Sequence, residues 1–275
     1  MDRRTFIGTL TAATLLSKRL TMAAADNHKI EKIGLQLYTV REQMKKDFEG
    51  TLAKVAAIGY REVEFAGLFD HSPKDVRAIL DRDGLTAVSG HVDYKILNSD
   101  AAGAIEAAKI MGQSYIVCPW IDESMRNPDD MKRIAQTLNR VGEQSKSAGL
   151  QLAYHNHDFE FKRRPDGKLF YDALLEDTDP NLVKMEMDLF WITNGGQDPL
   201  KYFNLYPGRF PLVHVKDRKN NGEMTEVGSG AIDFKRIFAQ SDKAGIKHYI
   251  VEHDQPKSPF DSIKKSYDYL KNLTF

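Results

Sequence analysis

Four short apolar runs in this chain each carry, at or near the end, a side chain that can bind a metal ion or move a proton. LQLAYHN at 150–156 carries His155, VKMEMDL at 183–189 carries Asp188, LVHVKD at 212–217 carries His214, and HYIVEHD at 248–254 carries Glu252. Two imidazoles and two carboxylates around one point suit Mn²⁺, Zn²⁺, Co²⁺ or Fe²⁺ better than Ca²⁺. The expected cofactor is therefore a divalent metal ion, with Mn, Zn, Co and Mg as the candidates. Such an ion polarises a carbonyl or hydroxyl oxygen and stabilises the enediolate left when a neighbouring proton is removed. Glu252 can serve as ligand and base, and His155 as either. Lys216 can steady the developing oxyanion or pair with Asp217. Glu186 and Asp188, His214 and Lys216, and Ile250, Glu252 and Asp254 are spaced two apart, so each set shares one face of its strand.

The elements that must position these groups follow a regular alternation after about residue 30. Eight strand-like runs lie at 33–40, 62–67, 87–94, 115–120, 150–156, 183–189, 212–217 and 248–254. Helix-like segments lie between them at 41–57, 73–83, 99–112, 127–148, 168–176, 198–206, 232–244 and 258–271. Ser72-Pro73 opens one helix, and Gly59, Gly84, Gly149 and Gly245 stand where helices stop. Eight βα units predict an α/β fold, a (β/α)₈ TIM barrel over 31–275 as a single catalytic domain. A doubly wound sheet would carry a Gly-rich phosphate turn after the first strand, and Tyr38-Thr39-Val40-Arg41 stands there instead. Barrel chemistry gathers at the C-terminal ends of the strands. That places Tyr38, Glu64, His91, Trp120, His157 and Trp191 among the expected substrate contacts. The loop at 157–168, with Pro165-Asp166-Gly167, predicts a turn or hairpin over the top. Gly228-Ser229-Gly230 before the helix at 232 is either an anion site or a tight turn.

LAYHNHDFEF, MEMDLFW, PLVHVKD, GSGAIDF and YIVEHD together resemble the sugar phosphate isomerase/epimerase family with the xylose isomerase-like TIM barrel. The resemblance spans most of 31–275. It implies a divalent metal held at the ends of strands five to eight, by His155, Asp188, His214 and Glu252. Two positions depart from the common pattern. His155 stands where many members have Glu, and Trp191 where many have His. The two-carboxylate proton relay of the family thus lacks one member.

Lys and Arg number 39, as do Asp and Glu, for a net charge of zero. That balance argues against nucleic acid as a partner and against a polybasic membrane surface. A single cysteine, Cys118, excludes an internal disulfide framework and a cysteine-built zinc site. Residues 1–25 read as an export signal of the twin-arginine type: Arg3-Arg4, an apolar stretch from Phe6 to Leu16, then Ala23-Ala24-Ala25. The apolar stretch is too short for stable membrane insertion. The expected location is the periplasm, where a phosphorylated substrate is less expected than a free sugar, keto-glycoside or cyclitol. The leading expectation is a metal-dependent sugar isomerase or epimerase working through an enediolate. The alternative is a keto-sugar lyase or dehydratase, toward which His155 tilts the balance. A second alternative is a non-catalytic exported sugar-binding protein. The small-molecule partner is a sugar or keto-sugar, and residue types do not define the oligomeric state.

Overall fold

The computed structural model describes residues 28–164 and 167–275. The export-signal segment 1–25 lies outside the described residues, as do Pro165 and Asp166. Eight parallel strands close into a barrel: β1 (Ile33–Gln36), β2 (Glu62–Phe65), β3 (Thr86–His91), β4 (Tyr115–Cys118), β5 (Gln151–His155), β6 (Val183–Asp188), β7 (Leu212–Val215) and β10 (His248–Val251). Each pairs with its sequence neighbours, and β1 closes the ring against β10. A two-stranded antiparallel hairpin, β8 (Asp217–Arg218) and β9 (Met224–Thr225), stands outside the barrel after β7.

Every strand expected from the sequence is present. Six stop two to four residues short of the apolar run, and β5 and β6 stop one short. The residues beyond each strand turn away from the ladder to carry the site. After β1 the chain enters a 3₁₀ turn, Leu37–Val40, capped by the Gln36 side chain. Two expected helices are split, 41–57 at Asp47 and 232–244 between Phe234–Phe238 and Ser241–Ala244. Asp47 ends Arg41–Lys46 and caps Phe48–Ile58 through Gly50 N, and Asp100 does the same between Tyr94–Ser99 and Ala101–Met111 through Gly103 N. Elements not expected include the β8–β9 hairpin, the helix Tyr94–Ser99 ahead of the one expected from 99, and a short helix, Leu189–Asn194, directly after β6. Gly84 and Gly245 end their helices with left-handed φ of 67° and 80°.

Two apolar layers hold the barrel. Outside, Leu35, Val63, Ile116, Leu152, Met185, Val213 and Val251 pack under the helices. Inside, Val88, Tyr115, Val117, Ala153, Leu212 and Ile250 form a separate plug. Parity then fixes what lies above the plug, because residues two further along point to the same interior. From Ala153, Leu212 and Ile250 these are His155, His214 and Glu252. The plug is the floor on which the polar cluster stands, and each buried side chain in it is worth roughly 1.5–3 kcal/mol. Above the rim, the 157–168 segment forms a 3₁₀ turn at Phe159–Phe161 and an antiparallel bridge between Arg163 and Leu169.

Candidate metal centre and active site

Register brings the chemistry together. His155 lies opposite Glu186, Asp188 opposite His214, and His214 opposite Ile250. The lower layer centres on two fully buried carboxylates. Glu64 accepts hydrogen bonds from Gln36 Nε2 at 2.6 Å and Ser89 Oγ at 2.5 Å, and lies 2.6 Å from His214 Nε2 and 2.9 Å from His91 Nε2. Glu186 Oε2 meets three imidazole nitrogens: His155 Nδ1 at 3.0 Å, His91 Nε2 at 3.1 Å and His214 Nε2 at 3.2 Å. Burial disfavours charge on His91, but Glu64 and Glu186 outweigh it and raise its pKa to about 9. His214 is raised in the same way against its burial, by Glu186, Glu64 and Glu252. His155 differs: burial, with three other imidazoles and Lys216 nearby, pushes its pKa well down and keeps it neutral.

The upper layer holds Asp188, Glu252, Lys216 and Asp254. His214 Nδ1 lies 2.9 Å from Glu252 Oε2 and 3.9 Å from Asp188 Oδ2, and His155 Nε2 lies 3.8 Å from that same Asp188 oxygen. Asp188 Oδ1 caps the Leu189–Asn194 helix at Trp191 N, 2.9 Å away. Asp188 Oδ2 is buried and accepts no aligned hydrogen bond, and the same holds for Glu186 Oε1. Lys216, itself buried, places Nζ 3.0 Å from Asp188 Oδ2, 2.6 Å from Glu252 Oε2 and 2.8 Å from Asp254 Oδ1. Burial raises the Asp188 pKa to about 6 against the pull of Lys216 and His214. For Glu252 burial acts the same way, but Lys216 and His214 prevail and hold it well below the usual carboxylate range.

This donor set is able to hold a metal. Asp188, His214 and Glu252 offer ligand atoms within 4.8 Å of one another, and His91, His155, Glu186 and His214 form a second such set beneath. Asp188 Oδ2 has an imidazole nitrogen on either side and only the Lys216 ammonium as ion-pair partner, so a metal ion could take its place among these donors. The mixed nitrogen and oxygen donors fit a first-row divalent ion.

A cavity of about 530 Å³ opens above the cluster. His91, His157, Lys216, Glu252 and Asp254 reach it from the strand ends, and Tyr38, Trp120 and Trp191 form its walls. Two polar atoms and one exposed aromatic ring mark it for a ligand with both hydroxyl groups and an apolar face. His157 Nδ1 and Trp191 Nε1 are buried without partners. His157, pushed down to about 3 by burial and by Lys216, is neutral. Trp120 is 43% exposed despite its size, edge-on to His157 at 4.7 Å. A segment behind His157 braces this wall: fully buried Glu160 accepts from Tyr154 OH at 2.7 Å and from His157 N at 2.9 Å.

Of the four ligand candidates named from the sequence, Asp188, His214 and Glu252 share one set with Lys216 among them, and His155 falls in the set beneath, its Nε2 3.8 Å from Asp188 Oδ2. Tyr38, His91, Trp120, His157 and Trp191 all line the cavity. Glu64 does not: it is 0% exposed, behind His91 and His214. His155, expected as ligand or base, is buried beneath the cavity and does not line it, which leaves the ligand position rather than the base. Lys216 pairs with Asp188, Glu252 and Asp254 rather than with Asp217. Asp217 instead accepts from the backbone N–H groups of Gly228, Gly230 and Ile232, so the chain's own carboxylate fills the expected anion position. Glu186 and Asp254 were not singled out as site residues, although both share a strand face with one that was.

The chain matches the model of the xylose isomerase-like TIM barrel family over residues 52–273. It is 30% identical to a sugar phosphate isomerase/epimerase from Parabacteroides distasonis of known structure, covering 93% of this chain and 97% of that one, with a TM-score of 0.79. It is 27% identical over 271 residues to an inosose dehydratase from Lacticaseibacillus casei (81% of this chain, 88% of the relative). It is 26% identical over 269 residues to another inosose dehydratase, from Geobacillus kaustophilus (81% and 86%). With its closed parallel barrel and a polar cluster at the strand ends, this chain belongs to the xylose isomerase-like TIM barrel family.

Proposed function

We propose that the protein is a divalent-metal-dependent dehydratase or lyase acting on a keto-cyclitol or keto-sugar, by α-proton abstraction followed by β-elimination. One observation carries this reading: a buried ammonium, Lys216, and a carboxylate, Glu252, face the same cavity wall from 2.6 Å apart, beside an imidazole kept protonated, His91. Elimination needs these three parts, an oxyanion partner, a base and an acid. The dehydratase relatives favour it over isomerisation, and the replacement of the family's second Glu by His155 removes one arm of a symmetric epimerase relay.

Asp188, His214 and Glu252 would hold the ion, with His155 as a fourth ligand. When bound, the ion supplies Lewis acidity toward the substrate oxygen. Trp120 and Trp191 receive the apolar faces of the ring, while His157 Nδ1 and Trp191 Nε1 take its hydroxyls. Glu252 Oε2 is engaged by His214 and Lys216, which leaves Oε1 to remove the proton α to the carbonyl. The electron pair moves to the carbonyl oxygen, where Lys216 Nζ meets the enolate. Collapse of the enolate expels the β-substituent, which takes its proton from His91 and leaves as water or an alcohol. Glu64 and Glu186 position His91 and hold it protonated, and Glu64, 2.6 Å from His214 Nε2, takes the proton on that nitrogen and leaves Nδ1 free for the ion.

The test is incubation with an inosose and with keto-sugars in deuterated water. Loss of water or alcohol by mass spectrometry, with formation of an unsaturated or diketone product, is expected. Solvent deuterium entering an otherwise unchanged substrate mass pattern, with no elimination, would instead establish epimerisation. A ligand bound without turnover would favour the sugar-binding alternative.

A further inference from the structure

We infer that Lys216 and the divalent ion are alternative partners of the same two carboxylate oxygens, so that loading the ion transfers Lys216 to Asp254 and turns its ammonium toward the cavity. The inference rests on the metal reading of the site, not on the identity of the substrate.

The contacts allow little else. Lys216 Nζ lies 3.0 Å from Asp188 Oδ2 and 2.6 Å from Glu252 Oε2. These are the oxygens that the imidazole nitrogens surround: His155 Nε2 at 3.8 Å and His214 Nδ1 at 3.9 Å from the first, His214 Nδ1 at 2.9 Å from the second. Any cation gripped there shares both oxygens with an ammonium that is already in hydrogen-bond reach. All of these groups are buried, so water screens the repulsion poorly. Lys216 has somewhere to go. Asp254 Oδ1 is 2.8 Å from Nζ, on a side chain 28% exposed at the cavity mouth. The Trp191 ring, 5.7 Å from Nζ, offers a favourable face on the cavity side.

Two consequences follow. The lysine lowers the affinity of the site for every cation, so an ion that binds carboxylates weakly does not displace it. The ammonium faces substrate oxygen only when the ion is in place, and by linkage a ligand anion that engages the ammonium strengthens ion binding by the same factor.

The experiment is Mn²⁺ titration of the full chain, stripped with chelator, by isothermal calorimetry and by electron paramagnetic resonance of the free ion. Four proteins are compared: wild type, K216M, D254N and the double variant. K216M is expected to bind Mn²⁺ at least about tenfold tighter than wild type, and D254N about fivefold weaker, because Lys216 loses its second anchor. In the K216M background D254N is expected to change affinity by less than about twofold. A D254N effect of equal size in both backgrounds overturns the inference, since that is what simple loss of a negative charge would give. Affinity of K216M equal to or weaker than wild type also overturns it. K216Q replaces K216M if circular dichroism shows the methionine variant unfolded. If neither neutral variant folds, acylation of Lys216 in the wild type decides: faster modification once Mn²⁺ is loaded supports the inference, and an unchanged or slower rate overturns it. Absence of Mn²⁺ binding in all four proteins removes the metal reading and the inference together, whereas equal affinity in all four removes the inference alone.

Discussion

Glu160 gives a sharply quantitative test of how the cavity wall is built. Its carboxyl group is 0% exposed, clamped between Tyr154 OH and His157 N. Burial pushes its pKa from 4.5 to about 8, against the lowering effect of those two hydrogen bonds and of Arg126. The folded chain thus keeps a proton that the unfolded chain gives up. For a group raised on folding, the stabilisation is fully present below the unfolded pKa. It falls as pH climbs through the interval and is gone above the folded pKa. At about 1.4 kcal/mol per pH unit, the loss between pH 5 and pH 8 comes to roughly 3.5 kcal/mol. Glu160→Gln keeps the shape and can make both contacts, its oxygen accepting from His157 N and its amide donating to Tyr154 OH. The variant should lose this pH dependence. Urea denaturation at pH 5, 6.5 and 8 measures it: near-equal stability at pH 5, and the variant ahead by about 3 kcal/mol at pH 8. Parallel pH profiles for the two proteins would refute the reasoning, because Glu160 would then be ionised in the folded state at neutral pH.

Three further outcomes are expected. Trp191→Ala removes a cavity wall and an unpartnered donor; it should raise KM for a ring substrate by about tenfold with kcat within about twofold, read by steady-state kinetics. Asp217→Ala leaves the N–H groups of Gly228, Gly230 and Ile232 without their acceptor and should cost about 3 kcal/mol by urea denaturation; an unchanged midpoint would contradict that role. If residues 1–25 are a twin-arginine-type signal, replacing Arg3 and Arg4 by lysine should keep the protein in the cytoplasmic fraction on cell fractionation.

The fold was legible because the alternation of apolar runs and helix-like segments is simple, and strand parity alone aligned His155, His214 and Glu252 above the apolar plug. Details governed by single polar caps were not legible. Asp47 and Asp100 each end one helix and start another, the first inside a segment expected as one helix, the second at the start of a helix expected from 99. Leu189–Asn194 was not expected, since LFWIT is as apolar as a strand and only Asp188 as N-cap marks a helix start. Glu186 was visible as a face-mate of Asp188, but a glutamate inside VKMEMD gives no hint that three imidazoles meet it. Asp254 and Lys216 meet through pairing of β7 with β10, where His214 faces Ile250. A linear string carries that register only once the order of strands around the barrel is known. The same limit put Glu64 at the cavity surface in expectation, whereas the ring of β1, β2, β3 and β7 side chains seals it beneath His91.

In the proposed reaction Asp188, His214 and Glu252, with His155, grip one divalent ion on which elimination depends. Elemental analysis of the purified protein beside His214→Ala, paired with turnover of an inosose before and after chelation, tests it most directly. The account predicts about one ion per wild-type chain, its loss in the variant, and activity that disappears with chelator and returns with Mn²⁺ or Co²⁺. Wild-type protein free of metal and still eliminating at an undiminished rate would contradict it.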